Sequence, residues 1–170
     1  MNNSILIAGV GNIFLGDDAF GVEAVRALER RRLPERVAVV DYGIRGFDLA
    51  YELLDPWEAV ILVDALPRGG PPGTLYLMEP DLSSIKDSQG AKTLMNPHGM
   101  DPLHVFQLAF AMGEVTAKLY IVGCEPHDFG SELEGRMGLS ETVQASIERA
   151  AGMVEELVER IRATAGMSLA

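Results

Sequence analysis

Cysteine is almost absent. Cys124 stands alone, so the chain cannot form an internal disulfide, and a reducing cytoplasm is the expected setting. Positive charge is scarce as well: 14 Lys and Arg against 25 Asp and Glu leave a net charge of -11, which disfavours phosphate backbones and anionic lipid. Neither nucleic acid nor a membrane is expected as a partner. No uncharged apolar stretch approaches the roughly 20 residues that a helix needs to cross a bilayer. The start MNNSILIAGVGN has neither the positive n-region nor the small-residue cleavage site of a signal peptide. Internal repeats are lacking too. With 170 residues and 48% hydrophobic content the chain suffices for one compact core, and a single domain over residues 1–170, acting as a monomer, is expected.

What is present is an alternation of short aliphatic runs with helical periodicity. Ser4 to Gly9 is an apolar run that stops at a glycine-rich turn, and Ala19 to Arg32 then places Phe20, Val22, Ala24, Val25 and Leu28 at helical spacing. Val37 to Val40 ends at Asp41 and is followed by a helical stretch, Phe47 to Leu54, closed by Asp55-Pro56. Val60 to Val63 is a third continuous run, ending at Asp64. Runs that are apolar throughout and alternate with helices predict parallel strands covered on both sides: an α/β, three-layer, doubly wound and mostly parallel sheet of about five strands.

The remaining elements are less regular. Gly73 to Met78 reads as a strand too closely connected to be parallel, hence an antiparallel edge. Glu79 to Pro97 is polar and reads as a long loop. Asp101-Pro102 opens a helix carrying Leu103, Phe106, Leu108 and Phe110 as far as Gly113, because Asp suits the N-cap and Pro the first helical position. Lys118 to Gly123 is the last strand. Ser140 then caps one long final helix whose Val143, Ile147, Ala150, Val154, Leu157, Val158 and Ile161 form a single stripe.

Gly9 and Gly11 after a strand resemble the opening of a dinucleotide fingerprint, with Asp41 where a ribose-binding acid would sit. Phe14 replaces the third glycine, however, and Asp17 and Asp18 lie where a helix N-terminus would meet a pyrophosphate and would repel it. The same acids favour a cation. Taken singly, Asp18 could be a helix cap, Asp64 a strand-end turn residue and His98 an exposed loop histidine. Together they point to an open metal site, because ligands in open α/β sheets bind outside the carboxyl ends of the strands, where Asp18, Asp41 and Asp64 can converge. Oxygen and imidazole donors suit borderline divalent ions such as zinc or nickel, and three protein ligands leave positions free for water or a substrate group.

Six segments, GVGNIFLGDDAFGV, DYGIRG, ILVDALPRGGPPGT, NPHGMDP, LYIVGCEP and GLSETV, in this order and spacing, resemble the nickel–iron hydrogenase maturation endopeptidases. The resemblance runs from Ile5 to the final helix. It implies an enzyme that removes the C-terminal extension of a hydrogenase large-subunit precursor after nickel insertion. It also implies that Asp18, Asp64 and His98 are the metal-contacting and catalytic residues, with Asp17 as a capping or supporting neighbour. Nickel would arrive with the precursor, and zinc or cadmium could occupy the site in isolation. Such a metal could polarise the scissile carbonyl or generate hydroxide, and a carboxylate such as Asp18 could instead be the general base. The sequence holds no H-E-x-x-H, so the helix of ordinary zinc peptidases is absent. Tyr42 and Arg45 in DYGIRG depart from the family's smaller residues, which bears on the choice of substrate. The alternatives are an assembly chaperone that binds the same precursor without cutting it, and a nucleotide-binding domain.

Of the other reactive side chains, Cys124 reads as a buried small hydrophobe rather than a nucleophile, and Glu125 as a residue lining the cleft. His104 and His127 read as solvated, the methionines as core filling and Trp57 as a packing residue.

Overall fold

The five aliphatic runs become five strands: β1 (Ile5–Val10), β2 (Val37–Gly43), β3 (Ala59–Ala65), β4 (Leu75–Met78) and β5 (Lys118–Cys124). The computed structural model describes residues 4–87, 101–131 and 133–168. The strands form one sheet in the order β2-β1-β3-β5-β4. The first four neighbours are parallel, while β4 runs antiparallel to β5 with Leu75 opposite Cys124 and Met78 opposite Ile121. The expected α/β fold and antiparallel edge are both present.

Six helices lie among the described residues: α1 (Phe20–Glu29), α2 (Gly46–Glu52), α3 (Leu82–Asp87), α4 (Pro102–Met112), α5 (Glu141–Gln144) and α6 (Ile147–Ser168). They cover both faces because the strands alternate sides with period two. Ile5, Ile7, Ile61, Val63 and Val122 point into one core, against Phe20, Val25 and Leu28 of α1 and Val154, Leu157 and Val158 of α6. Leu6, Ala8, Val60, Leu62 and Ile121 point into the other, against Leu49 of α2, Leu53 and Val105, Phe106 and Ala109 of α4. Strand β3 is buried at every position, which explains why its sequence shows no polar alternation.

Two expectations need correction. The stretch read as a loop from Glu79 to Pro97 contains α3, where Ile85 is buried and Asp81 accepts from the backbone and hydroxyl of Ser83 and the hydroxyl of Ser84. The single final helix is two helices. Ser140 does precede α5, but its hydroxyl is spent on Asp17 rather than on a cap, and the chain breaks at Ala145 and Ser146 before α6 begins. The apolar stripe survives the break, since Val143 and Ile147 both stay buried. Elsewhere the helix signals hold: Asp101 caps α4 by accepting from His104 N–H at 2.9 Å, with Pro102 in its first turn.

The strand order fixes where a site can form. From β1 the chain winds outward to β2, then crosses back to place β3 on the other side of β1, so the crevice at the carboxyl ends of β1 and β3 is the topological switch point. Gly21 lets α1 enter there. A Cβ on it would lie 2.1 Å from the Val63 carbonyl oxygen and 2.3 Å from that of Val10, so only glycine brings the first turn of α1 onto both strands. Gly11, at φ 142, is similarly tight: its Cβ would lie 1.8 Å from the Asp18 carbonyl oxygen. The glycines that resembled a phosphate cradle serve chain packing instead.

Candidate active site

Asp64 is the penultimate residue of β3 and Asp18 belongs to the 3-10 turn Gly16–Ala19 that leads into α1. Both therefore hang at the switch point. Asp64 is only 4% exposed. Burial and then the Asp18 carboxylate push its acid well above the usual carboxylate range, Asp101 adds to this, and the Ala65 N–H opposes it. Asp18 is half-buried. Burial raises its acid too, against one hydrogen bond of 2.9 Å that its Oδ2 accepts from Asn12 N–H. Burial thus raises both acids and the Asp18 charge raises Asp64 further, a setting that favours a proton or a cation.

Asp17 and Asp18 share a turn but not a task. Asp17 is fully buried, and its carboxylate accepts from His127 N–H at 2.8 Å, Asp128 N–H at 3.1 Å, Ser140 N–H at 2.7 Å and the Ser140 hydroxyl at 2.9 Å. Burial alone would raise its acid; the hydrogen bonds outweigh burial and hold it below its ordinary value. Neither acid caps the 3-10 turn or α1. The capping reading is therefore wrong for both. No local sequence signal could have found these bonds, because the partners lie 110 to 123 residues away in the chain.

His98 lies outside the described residues. Among those described, no group of three or more His, Cys, Asp and Glu side chains is arranged to hold a metal ion, so Asp18, Asp41 and Asp64 do not converge as a trio. Asp41 turns aside toward Arg26, whose guanidinium lies 3.7 Å away. Arg45 donates to the Asp41 carbonyl and stacks 5.5 Å from the centre of the buried Tyr42 ring, so the departures Tyr42 and Arg45 stiffen this corner.

Glu125 does not line an open cleft. It accepts from Arg68 N–H at 2.8 Å, Gly69 N–H at 3.1 Å and the Tyr76 hydroxyl at 2.8 Å, and so ties the turn after β3 to β4. Against the effect of burial, those bonds lower its acid. Cys124 is buried as expected, its Sγ 3.3 Å from the Ser146 hydroxyl, and burial pushes the thiol up. His127 is exposed, but His104 is not solvated at its ring. Both ring nitrogens are buried without a hydrogen-bond partner, although Nδ1 lies 2.9 Å from the Asp101 oxygen that already takes the His104 backbone N–H. Trp57 packs on the core, whereas Met112 and Met137 stand exposed rather than filling it.

An α/β sheet with two acids at its switch point, among whose described residues the first-loop glycines pack against backbone, defines a doubly wound fold with an acidic crevice. A family model described as hydrogenase maturation protease matches residues 22–157. Hydrogenase 2 maturation protease of Escherichia coli strain K12 is 32% identical over 162 residues, covering 93% of this chain and 90% of that one. The longer hydrogenase expression/formation protein HupD of Bradyrhizobium diazoefficiens is 34% identical over 128 residues, 75% of this chain and 65% of its own length. Among solved structures, the hydrogenase maturating endopeptidase HybD from E. coli superposes with a TM-score of 0.70 at 29% identity, over 92% of this chain and 93% of that one. The chain belongs to the hydrogenase maturation protease family, a family of endopeptidases.

Proposed function

We propose that this protein removes the C-terminal extension of a nickel–iron hydrogenase large-subunit precursor after nickel has been inserted, and that Asp18, Asp64 and His98 recognise the nickel the precursor carries. The observation that supports this most is the buried Asp64 carboxyl at the β1/β3 switch point, its acid raised by burial and the Asp18 charge and, among the described residues, lowered by the Ala65 N–H. A pair of acids held in that way suits a divalent cation, which removes the cost of like charges in low dielectric. Oxygen donors from Asp18 and Asp64 fit nickel, zinc or cadmium, and one face stays open for substrate groups.

When bound, the metal of the precursor supplies Lewis-acid polarisation at the scissile carbonyl. The chain's own residues do the rest. Asp64, whose acid burial and the Asp18 charge raise, would offer its carboxyl as a ligand to that cation. Asp18, with one oxygen held by Asn12 N–H, keeps its other oxygen free to bind or to accept a proton from attacking water. No described helix is long and apolar enough to cross a membrane.

The test is intact-mass measurement of nickel-loaded and nickel-free precursor before and after incubation with the protein. Loss of a discrete C-terminal fragment from the loaded form alone is expected, and Asp18→Asn, Asp64→Asn and His98→Ala should each suppress it. Binding of loaded precursor with no change in its mass would replace the peptidase reading with that of an assembly chaperone.

A further inference from the structure

We propose that Asp17 is the positioning residue of this site: its carboxylate docks His127, Asp128 and Ser140 onto the 3-10 turn and thereby sets where the neighbouring Asp18 carboxylate is presented at the β1/β3 switch point. The inference rests on the assignment of Asp18 and Asp64 to the reaction.

A 3-10 turn has three residues per turn, so side chains of consecutive residues diverge by roughly 120°. Fixing one fixes the next. Asp17 is the better held of the two, with four hydrogen bonds against one for Asp18. Backbone bonds extend the same seam: Asp17 N–H donates to the Asp128 carbonyl at 3.0 Å, Gly16 N–H to that of Arg136 at 2.8 Å, and Arg136 N–H to that of Phe14 at 2.7 Å. Gly16 adopts φ 52, where its missing Cβ would lie 2.9 Å from the Asp128 carbonyl oxygen, so the turn sits tight against the segment. With Asp17 committed to the seam, the Asp18 carboxylate diverges from it and accepts from Asn12 N–H. Without the carboxylate the seam keeps those three backbone bonds but loses four side-chain ones, so the turn that carries Asp18 is held less closely.

Asp17→Asn is the informative variant, because an amide presents an NH2 group to at least one of the amide donors that a carboxylate oxygen accepts. Glu125→Gln is the matched comparison: also a buried carboxylate gripping backbone amides, but around residues 68–70 rather than the 3-10 turn. Both variants and the parent should be compared at a temperature where circular dichroism shows all three folded. Three readouts apply: hydrogen exchange at the Asn12 amide, affinity for cadmium alone by calorimetry, and kcat and KM for loaded precursor.

For Asp17→Asn we expect Asn12 to exchange at least about 10-fold faster while β1 stays protected, and cadmium affinity to fall by roughly 10- to 100-fold, the range typical of residues that orient metal ligands. The loss in cleavage should fall on kcat more than on KM. Glu125→Gln should lower the melting temperature yet leave all three readouts within about twofold of the parent. Unchanged exchange at Asn12 in Asp17→Asn, or equal losses in Glu125→Gln, would overturn the proposal. If the parent neither binds cadmium nor cleaves, the functional reading fails, and Asn12 exchange still decides whether Asp17 positions Asp18.

Discussion

Replacing Asp64 by Asn is expected to make the protein more stable and inactive at once. The acid of Asp64 stands well above its ordinary value because burial and the Asp18 carboxylate both disfavour its charge. An acid raised in the folded state binds its proton more tightly there than in the unfolded chain. Its effect is therefore neutral below the ordinary carboxylate range, and stability is lost as pH rises from that range toward the folded value. Asparagine carries no charge and escapes this loss. At neutral pH Asn should recover the stability that the raised acid loses, because its amide has no charge to desolvate. For a chain of this length each 1 kcal/mol so recovered raises the melting temperature by roughly 2–4 °C. Melts between about pH 4 and about pH 8 should show the two proteins converging on the acid side and separating on the neutral side. Equal melting temperatures at neutral pH would show that Asp64 is not held as a strained acid. By the same linkage, cadmium affinity of the parent should rise with pH, because the cation must displace a proton. Cleavage of loaded precursor by Asp64→Asn should be undetectable.

Replacing Gly21 by Ala should act in the opposite direction and with the larger cost. Helix propensity alone favours Ala over Gly by about 1 kcal/mol inside a helix. Here the new methyl would meet the Val63 carbonyl oxygen at 2.1 Å, the Val10 carbonyl oxygen at 2.3 Å and the Val10 nitrogen at 2.9 Å, all backbone atoms that no side-chain rotation can clear. Overpacking of this kind costs at least about 3 kcal/mol, so the clash wins and the melting temperature should fall by roughly 6–12 °C. Because α1 and the 3-10 turn move together, cleavage should fall in the surviving folded fraction too. Gly152 in α6 is the control: nothing lies within 4 Å of its Cβ position, so there Ala should stabilise by about 0.5–1 kcal/mol. If Gly21→Ala melts like Gly152→Ala, the close approach of α1 to β1 and β3 is not as described.

The sheet was legible in the sequence because its three central strands, β1, β3 and β5, are buried on both faces, leaving continuous runs such as ILIAGV and AVILVDA that no amphipathic helix would tolerate. The order of those runs also placed Asp18 and Asp64 at one edge. What stayed illegible were interactions between distant segments. Asp17 and Asp18 are chemically identical neighbours, and nothing local separates the one bonded to Ser140 from the one held by Asn12. Glu125 looked free because its three backbone and phenol donors come from around Gly69 and Tyr76, a turn whose closeness only the β4–β5 pairing reveals. The break between α5 and α6 was hidden for a related reason: the stripe keeps its spacing through Val143 and Ile147, and Ser146 turns inward to donate to the Val143 carbonyl at 2.7 Å. His104 misled through its type, since a histidine one turn into a helix gives no hint that both ring nitrogens are sealed.

The burial of Cys124 has an experimental use. Its sulfur is closed off between the end of β5 and Ser146, at the joint where α5 gives way to α6. A thiol reagent can reach it only when that joint lifts from the sheet. The labelling rate of this one native cysteine, measured without any engineered probe, therefore reports the free energy of opening at the base of the longest helix. Comparing that rate with and without bound precursor would show whether engagement at the switch point is felt on the far side of β5.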